Sequence, residues 1–353
     1  MASDFQSIPV IDLSLAESPE TRPGLLEQLH YALTQVGFLY VSNHSVPREV
    51  IQDLRNLLPR LFELDQEAKE KVALHNSPHF LGYSHVGSET TAGAEDRREQ
   101  FEFATELPNS WRDGRPLYER LMGPNQWPSD DPQTRKFVER YIQELTQLGE
   151  RFLALVAEAL SVPSKALFSF LSYQHRLKLV HYPPSDPSLG SRAQGVGPHK
   201  DSSGWWTFLL QASPPHVKGL QALNKNGEWI DVPVIQDTFV VNIGQAFEVV
   251  THGVCKATTH RVLSGPLERY SVPFFQGVRG SLTKGEALGT LKDYFGTKRS
   301  SSEVDAGVHI DSAFLRGNYD TWGESQLRTK IRSHRDVGRK FYADLFDQYL
   351  NDS

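Results

Sequence analysis

Apolar positions recur at helical spacing through much of the first half of the chain. In residues 21–35, TRPGLLEQLHYALTQ, the side chains of Leu25, Leu29, Ala32 and Leu33 share one face, the signature of an amphipathic helix. A short strand is predicted before it at Ile8–Leu13, Gly37 ends it, and Phe38–Val41 (FLYV) is a brief β-rich run. Residues 47–73 read as a helix pair broken at Pro59, since proline removes a helical donor and clashes with the preceding turn. The stretch 79–131 is rich in glycine and proline and reads as loop. A long helix is predicted over Asp131–Leu160, with Phe137, Tyr141, Leu145, Leu148, Phe152 and Leu155 along one stripe.

From about residue 174 the period changes. LKLVHY (177–182), WWTFLLQ (205–211), GLQAL (219–223), EWIDV (228–232), TFVVNI (238–243) and RYSVPFF (269–275) are short and rich in β-branched and aromatic residues. Turn signals such as Pro183-Pro184 and Asn226-Gly227 separate them, the pattern of a sandwich or barrel. After Gly280 the pattern returns to helix and loop, closing with a helix at Gly338–Leu350. The expected fold is therefore mixed α and β, with a β-barrel or jelly roll between helical flanks in one compact unit.

Composition narrows the chemistry. The single cysteine, Cys255, excludes a disulfide framework, a cysteine-rich zinc site and a cysteine-held iron–sulfur cluster. With 37 basic against 43 acidic residues, the net charge of −6 argues against nucleic acid as the partner. No stretch approaches the roughly 20 apolar residues of a membrane span, and the opening MASDFQSIPVIDL lacks the basic and apolar regions of a secretory signal. The expectation is a soluble cytoplasmic protein, monomeric or weakly dimeric, acting on a small molecule.

In His199-Lys200-Asp201 the imidazole and carboxylate stand at i and i+2, so an extended backbone turns both to one side. Such a pair becomes a metal site when a third ligand joins it, and THGVCKATTHRV offers His252 and His260. Two histidines and one carboxylate on one face leave coordination positions open, as in non-haem Fe(II) oxygenases; a structural zinc would be closed by a fourth protein ligand. Nine residues beyond His260, Arg269 and Ser271 again share a face of one strand. A guanidinium fork with a nearby hydroxyl suits a carboxylate. Open iron positions with a distant carboxylate clamp call for Fe(II), 2-oxoglutarate and O2, the keto acid end on the metal and the far carboxylate on Arg269 and Ser271.

The chain resembles the isopenicillin N synthase-like branch of the 2-oxoglutarate/Fe(II)-dependent oxygenases over nearly its full length. The resemblance is carried, in order, by IPVIDL (8–13), VGFLYVSNHSVP (36–47), GPNQWP (123–128), HYPP (181–184), GPHKD (197–201), KGLQAL (218–223), NGEWIDVPV (226–234), VVNIGQAFE (240–248), THRV (259–262) and RYS (269–271). It implies a double-stranded β-helix (jelly-roll) core at 171–280, an N-terminal helical support at 1–170 and a C-terminal helical or lid region at 281–353. It also implies His199, Asp201 and His260 as iron ligands, choosing His260 over His252 because the family's distal histidine precedes an Arg–Val pair. The implied activity is oxidation of a small molecule, an amino acid or secondary metabolite, by hydroxylation, desaturation or oxidative cyclisation, with release of succinate and CO2. The alternatives are an Fe(II) oxidase on the same fold that needs no 2-oxoglutarate, and a non-catalytic binding protein.

Further candidates follow from position. Lys178, Val180 and Tyr182 alternate on one face of LKLVHY, so Lys178 and Tyr182 are candidates for holding the cosubstrate, while His181 points the other way. The segment Gly82–Phe103 resembles the family's loop over the site mouth, which makes Glu89, Arg98 and Phe101 candidate substrate contacts. One of Trp205 and Trp206 is expected to wall the pocket, and aromatic residues of Gly317–Trp322 to form a lid. His334, like the other histidines without ligand spacing, reads as surface or packing.

Overall fold

A computed structural model describes residues 5–91, 93–185, 194–295, 310 and 312–351. Fourteen strands are present among them. The N-terminal region supplies β1 (Val10–Asp12), β2 (Phe38–Ser42), β3 (Gly82–Ser84), β4 (Thr90–Thr91), β5 (Ala94–Glu95) and β6 (Glu99–Ala104). The second half supplies β7 (Arg176–Tyr182), β8 (Gln194–His199), β9 (Trp206–Gln211), β10 (Leu220–Leu223) and β11 (Trp229–Asp231). It ends with β12 (Phe239–Ile243), β13 (His260–Leu263) and β14 (Arg269–Phe275).

Eight strands form one sheet in the order β1-β2-β12-β9-β14-β7-β6-β3, four form a second in the order β11-β10-β13-β8, and β4-β5 is a separate hairpin. Pairing is antiparallel except between β1 and β2. The fold is a jelly roll with helices around it. The stretch 79–131, expected to be loop, contributes β3 to β6 instead. There EQFEFA pairs beside β7, with Phe101 and Phe103 on one face and Gln100 and Glu102 on the other.

Strand alternation makes the large sheet two-faced. One set of side chains (Phe38, Tyr40, Val180, Leu209, Val240) meets Val196, Leu220, Ala222 and Val262 of the small sheet. The alternate set (Leu39, Val41, Leu179, Phe208, Val241, Phe274) packs under the helices. The long helix runs Gln133–Ala159, and its Phe152 lies edge-on to Trp206 and Phe208 at 5.1 and 5.6 Å. Burial of each such side chain contributes about 1.5–3 kcal/mol. The helix Arg48–Phe62 runs straight through Pro59, which falls in its last turn where little of the hydrogen-bond ladder is lost; the break comes afterwards, before Gln66–Lys71.

A third cluster, Leu74, Phe80, Leu327, Ile331, Val337 and Tyr342, seats the C-terminal helices on the loop before β3. Thr321 and Glu324 form a capping box that starts the helix Trp322–Ser333. Tyr342 Oη donates to Pro78 O at 2.6 Å. The last turns of Trp322–Ser333 are thereby held over the open end of the sandwich.

Candidate active site

His199 ends β8 and His260 begins β13, and the two residues pair directly in the small sheet. Their rings stand 4.3 Å apart between centroids. Asp201 follows two residues later, and its Oδ1 lies 3.6 Å from the Nε2 of each histidine. The three ligand atoms all lie within 4.8 Å of one another, the one such group of three among the described residues. His252 is not in it; it sits in the turn after the helix Gln245–Val250.

Hydrogen bonds leave one ligand atom free on each residue. His199 Nδ1 donates to Gly197 O at 2.8 Å and His260 Nδ1 to Thr258 O at 3.1 Å; a carbonyl only accepts, so in the neutral ring it is Nε2 that offers a lone pair to the site. Asp201 Oδ2 accepts from Thr207 Oγ1 at 2.5 Å and from Asn242 Nδ2 at 2.6 Å, which leaves Oδ1 for the site. Burial alone would raise the Asp201 carboxyl, but the facing His260, then His199 and Thr207, hold it below the ordinary carboxylate range. Burial, reinforced by His199, pushes His260 down to about 4 and keeps it a neutral imidazole at pH 7. Two imidazoles and one carboxylate with converging ligand atoms suit a divalent first-row metal.

Across the same cavity, of about 260 Å³, lie Arg269 and Ser271 on the inward face of β14. Both are buried, Arg269 at 4% exposed. Its guanidinium stacks 4.8 Å over the Tyr182 ring and reaches Gln211 Oε1 at 3.4 Å, while Nη1 is buried without a hydrogen-bond partner. No carboxylate is paired with it among the described residues. A buried cation in that condition is costly until an anion joins it. The donor set thus fits both Fe(II) and a dicarboxylic keto acid.

The comparisons with known proteins agree. Residues 171–278 match the family model of the 2OG-Fe(II) oxygenase superfamily, and residues 8–130 match that of the N-terminal region of non-haem dioxygenase in morphine synthesis. The chain is 42% identical over 356 residues to the 2-oxoglutarate-dependent dioxygenase frbJ of Dothideomycetidae sp. (strain 11243), covering 98% of this chain and 93% of that one. The chain belongs to the 2-oxoglutarate/Fe(II)-dependent oxygenases. As a member of these oxygenases it uses Fe(II) and 2-oxoglutarate and acts as a dioxygenase on a small molecule. It is also 30% identical to homoarginine-6-hydroxylase 2-ODD-C23 of Glycine max, over 91% of this chain and all of that one. The crystal structure of a 2OG-Fe(II) oxygenase family protein from Caulobacter crescentus superposes with a TM-score of 0.72 at 24% identity, over 93% of this chain and 99% of that one, a likeness of fold.

The rest of the oxygenase cavity is charged. Glu89 is no solvated loop acid; its side chain is 13% exposed. It meets Arg98 Nη2 at 2.5 Å, Gln100 Nε2 at 2.9 Å, His334 Nε2 at 3.1 Å and Lys178 Nζ at 3.4 Å. Burial would raise this carboxyl, but Lys178, Arg98 and His334 hold it well below the usual range. Glu102 behaves likewise beside Lys330 at 2.5 Å and Arg176 at 2.6 Å. Lys178 sits four residues from Tyr182 along β7, roughly 13 Å, and faces these acids at the far wall rather than Arg269.

Three expectations are corrected. Phe101 lies on the opposite face of β6 from Glu102, stacked in the core against Phe103 with Tyr83 nearby, because positions three apart from Arg98 cannot share a strand face. Neither Trp205 nor Trp206 walls the cavity. Trp206 follows the outward alternation of Phe208 and Leu210, and Trp205, ahead of the paired register, packs on Phe170 and Phe247. Trp322 and Tyr319 are core residues as well; the helix Trp322–Ser333 presents Thr329, Lys330 and Ser333, followed by His334, to the cavity. Sequence reasoning missed Glu102, Arg176, Lys330 and the site position of His334. The position of Glu102 between Phe101 and Phe103, facing away from both on a strand, was the signal for it. Nothing local signalled Lys330, which the third apolar cluster brings in from far along the chain.

Proposed function

We propose that His199, Asp201 and His260 hold the Fe(II), that Arg269 and Ser271 clamp the distal carboxylate of 2-oxoglutarate with Tyr182 against the guanidinium, and that the charged wall receives the substrate. The observation that carries this reading is the convergence of three spared ligand atoms opposite a buried guanidinium whose Nη1 has no partner. Bound together, Fe(II) and 2-oxoglutarate supply oxygen activation coupled to release of succinate and CO2. The chain's own residues supply orientation. Thr207 and Asn242 fix which carboxylate oxygen faces the metal, and the carbonyls of Gly197 and Thr258 fix the imidazole tautomers. Leu209, Leu220 and Val262 line the cavity between the two ends and exclude water. The stretches 1–170, 171–280 and 281–353 work as one unit in this reading, since Glu89, His199 and Lys330 line one cavity.

The reaction is read as hydroxylation of a small amino acid-like or secondary-metabolite substrate, in keeping with the homoarginine-6-hydroxylase relative. The test is succinate release by the purified protein with Fe(II), oxygen and 2-oxoglutarate. Release that requires all three and disappears in Asp201→Ala supports the reading. Substrate oxidation without any keto acid would replace it with the oxidase alternative.

A further inference from the structure

The wall of the cavity remote from the metal carries unequal charge. Arg98, Arg176, Lys178 and Lys330 face Asp96, Glu89 and Glu102, and no side chain of the seven is more than 15% exposed. One positive charge is left over among the described residues before any charge on His334 is added. The metal end does not absorb it. There Fe(II) with Asp201, and the two carboxylates of 2-oxoglutarate with Arg269, balance to neutrality, and Lys200 is paired with Glu248 at 3.1 Å. An uncompensated cation in a buried wall is costly unless a ligand brings the missing charge.

The surplus is localised. Lys178 Nζ lies 3.4 Å from Glu89 and 3.8 Å from Glu102, in reach of both and close to neither. Lys330 shares Glu102 with Arg176, and burial, followed by repulsion from Arg176 and Lys178, lowers Lys330 to about 8. Both ammonium groups therefore stand at the same carboxylate, whose Oε2 is buried without a hydrogen-bond partner.

We propose that Lys178 and Lys330 form the substrate's anion subsite, and that the substrate is a small carboxylate of net charge −1. A phosphate ester, at about −1.5 to −2, would exceed the single surplus charge; a neutral molecule would leave it unmet. Glu102 Oε2 remains available to accept a hydroxyl hydrogen of the same molecule. The proposal rests on the reading of this cavity as the oxygenase site.

The experiment is calorimetric titration of the Fe(II)- and 2-oxoglutarate-loaded protein, without oxygen and at fixed ionic strength, with butanoate and with butanamide, which differ in charge and hardly in shape. Butanoate should bind roughly tenfold or more tightly than butanamide, the weight of one charge-assisted hydrogen bond. Lys330→Met or Lys178→Met should remove that preference. Since Lys330→Met takes away the surplus charge, the ligand-free variant should melt no lower than the parent. Equal affinity for the two probes, binding of neither, or a preference surviving in both variants overturns the proposal. So does a large loss of melting temperature in both variants, which would make the lysines plain counter-ions of Glu89 and Glu102. Binding of 2-oxoglutarate itself, measured first and again in Arg269→Gln, separates the two levels: intact keto acid binding with no carboxylate preference sinks the subsite alone. Absent keto acid binding sinks the cavity reading and the subsite with it.

Discussion

The two ends of the cavity hold their polar groups by opposite means. At the metal end, each of His199, Asp201 and His260 is fixed by hydrogen bonds with neutral partners, and one ligand atom on each is spared. At the far wall, charges are held by other charges: Glu102 by Arg176 and Lys330, Glu89 by Arg98, Lys178 and His334. The first arrangement prepares a site for an outside charge without depending on it. The second depends on its acids, because removing Glu89 or Glu102 leaves cations buried and unpaired.

The comparison breaks most sharply at the metal end. His199→Ala, Asp201→Ala and His260→Ala should each reduce succinate release to background with little loss of stability, whereas His252→Ala should keep turnover near the parent's. An active His260→Ala protein would remove that residue from the ligand set. At the far wall the larger cost should be in stability. Glu102→Gln strands Arg176 and Lys330, and urea unfolding should show a loss of about 3–5 kcal/mol; a change under about 1 kcal/mol would mean the wall does not depend on its acids. Between the two ends, Arg269→Gln should raise the KM for 2-oxoglutarate roughly ten- to a hundredfold, with Ser271→Ala costing up to about tenfold. An unchanged KM in Arg269→Gln would dissolve the clamp.

A subtler contrast is in pH. Lys330 titrates at about 8 in the fold against 10.5 when free. Between those values the unfolded chain holds more protons, so the penalty for burying this charge is full below pH 8 and is relieved as pH rises toward 10.5. The stability of the parent relative to Lys330→Met should therefore climb across that window. A flat difference would mean that Glu102 fully compensates the lysine.

Legibility in the sequence follows the same divide. The metal end is readable because strand geometry needs only i and i+2 to bring His199 with Asp201, and Arg269 with Ser271, onto common faces. Even there, β8 escapes pattern reading. QGVGPH has two glycines and a proline and so reads poorly as a strand, and it is tolerated because β8 is an edge of the small sheet. The two tryptophans mislead for a physical reason: a bulky residue next to a metal motif fills whichever face its register gives it, and here that is the helix-covered core. The far wall is mostly unreadable. Its members lie between Glu89 and His334, and only the packing of Leu327 and Ile331 on Leu74 and Phe80 decides which turn of a polar helix faces the charges.

The metal end also spans a mechanical seam. The two imidazoles belong to the small sheet, but the carboxylate is anchored by Thr207 of β9 and Asn242 of β12, in the large one. A bound ion would thus rivet the two halves of the sandwich together. The gap it must bridge is set by Val196, Leu209, Val240 and Val262 packed between the sheets. These aliphatic residues act as spacers, and trimming one by a methylene shifts the jaws of the chelate. Metal affinity then becomes a gauge of how well an apolar interior is filled, and the tolerance of that interior to change is set by the narrow bond lengths of a transition metal as much as by the stability of the fold.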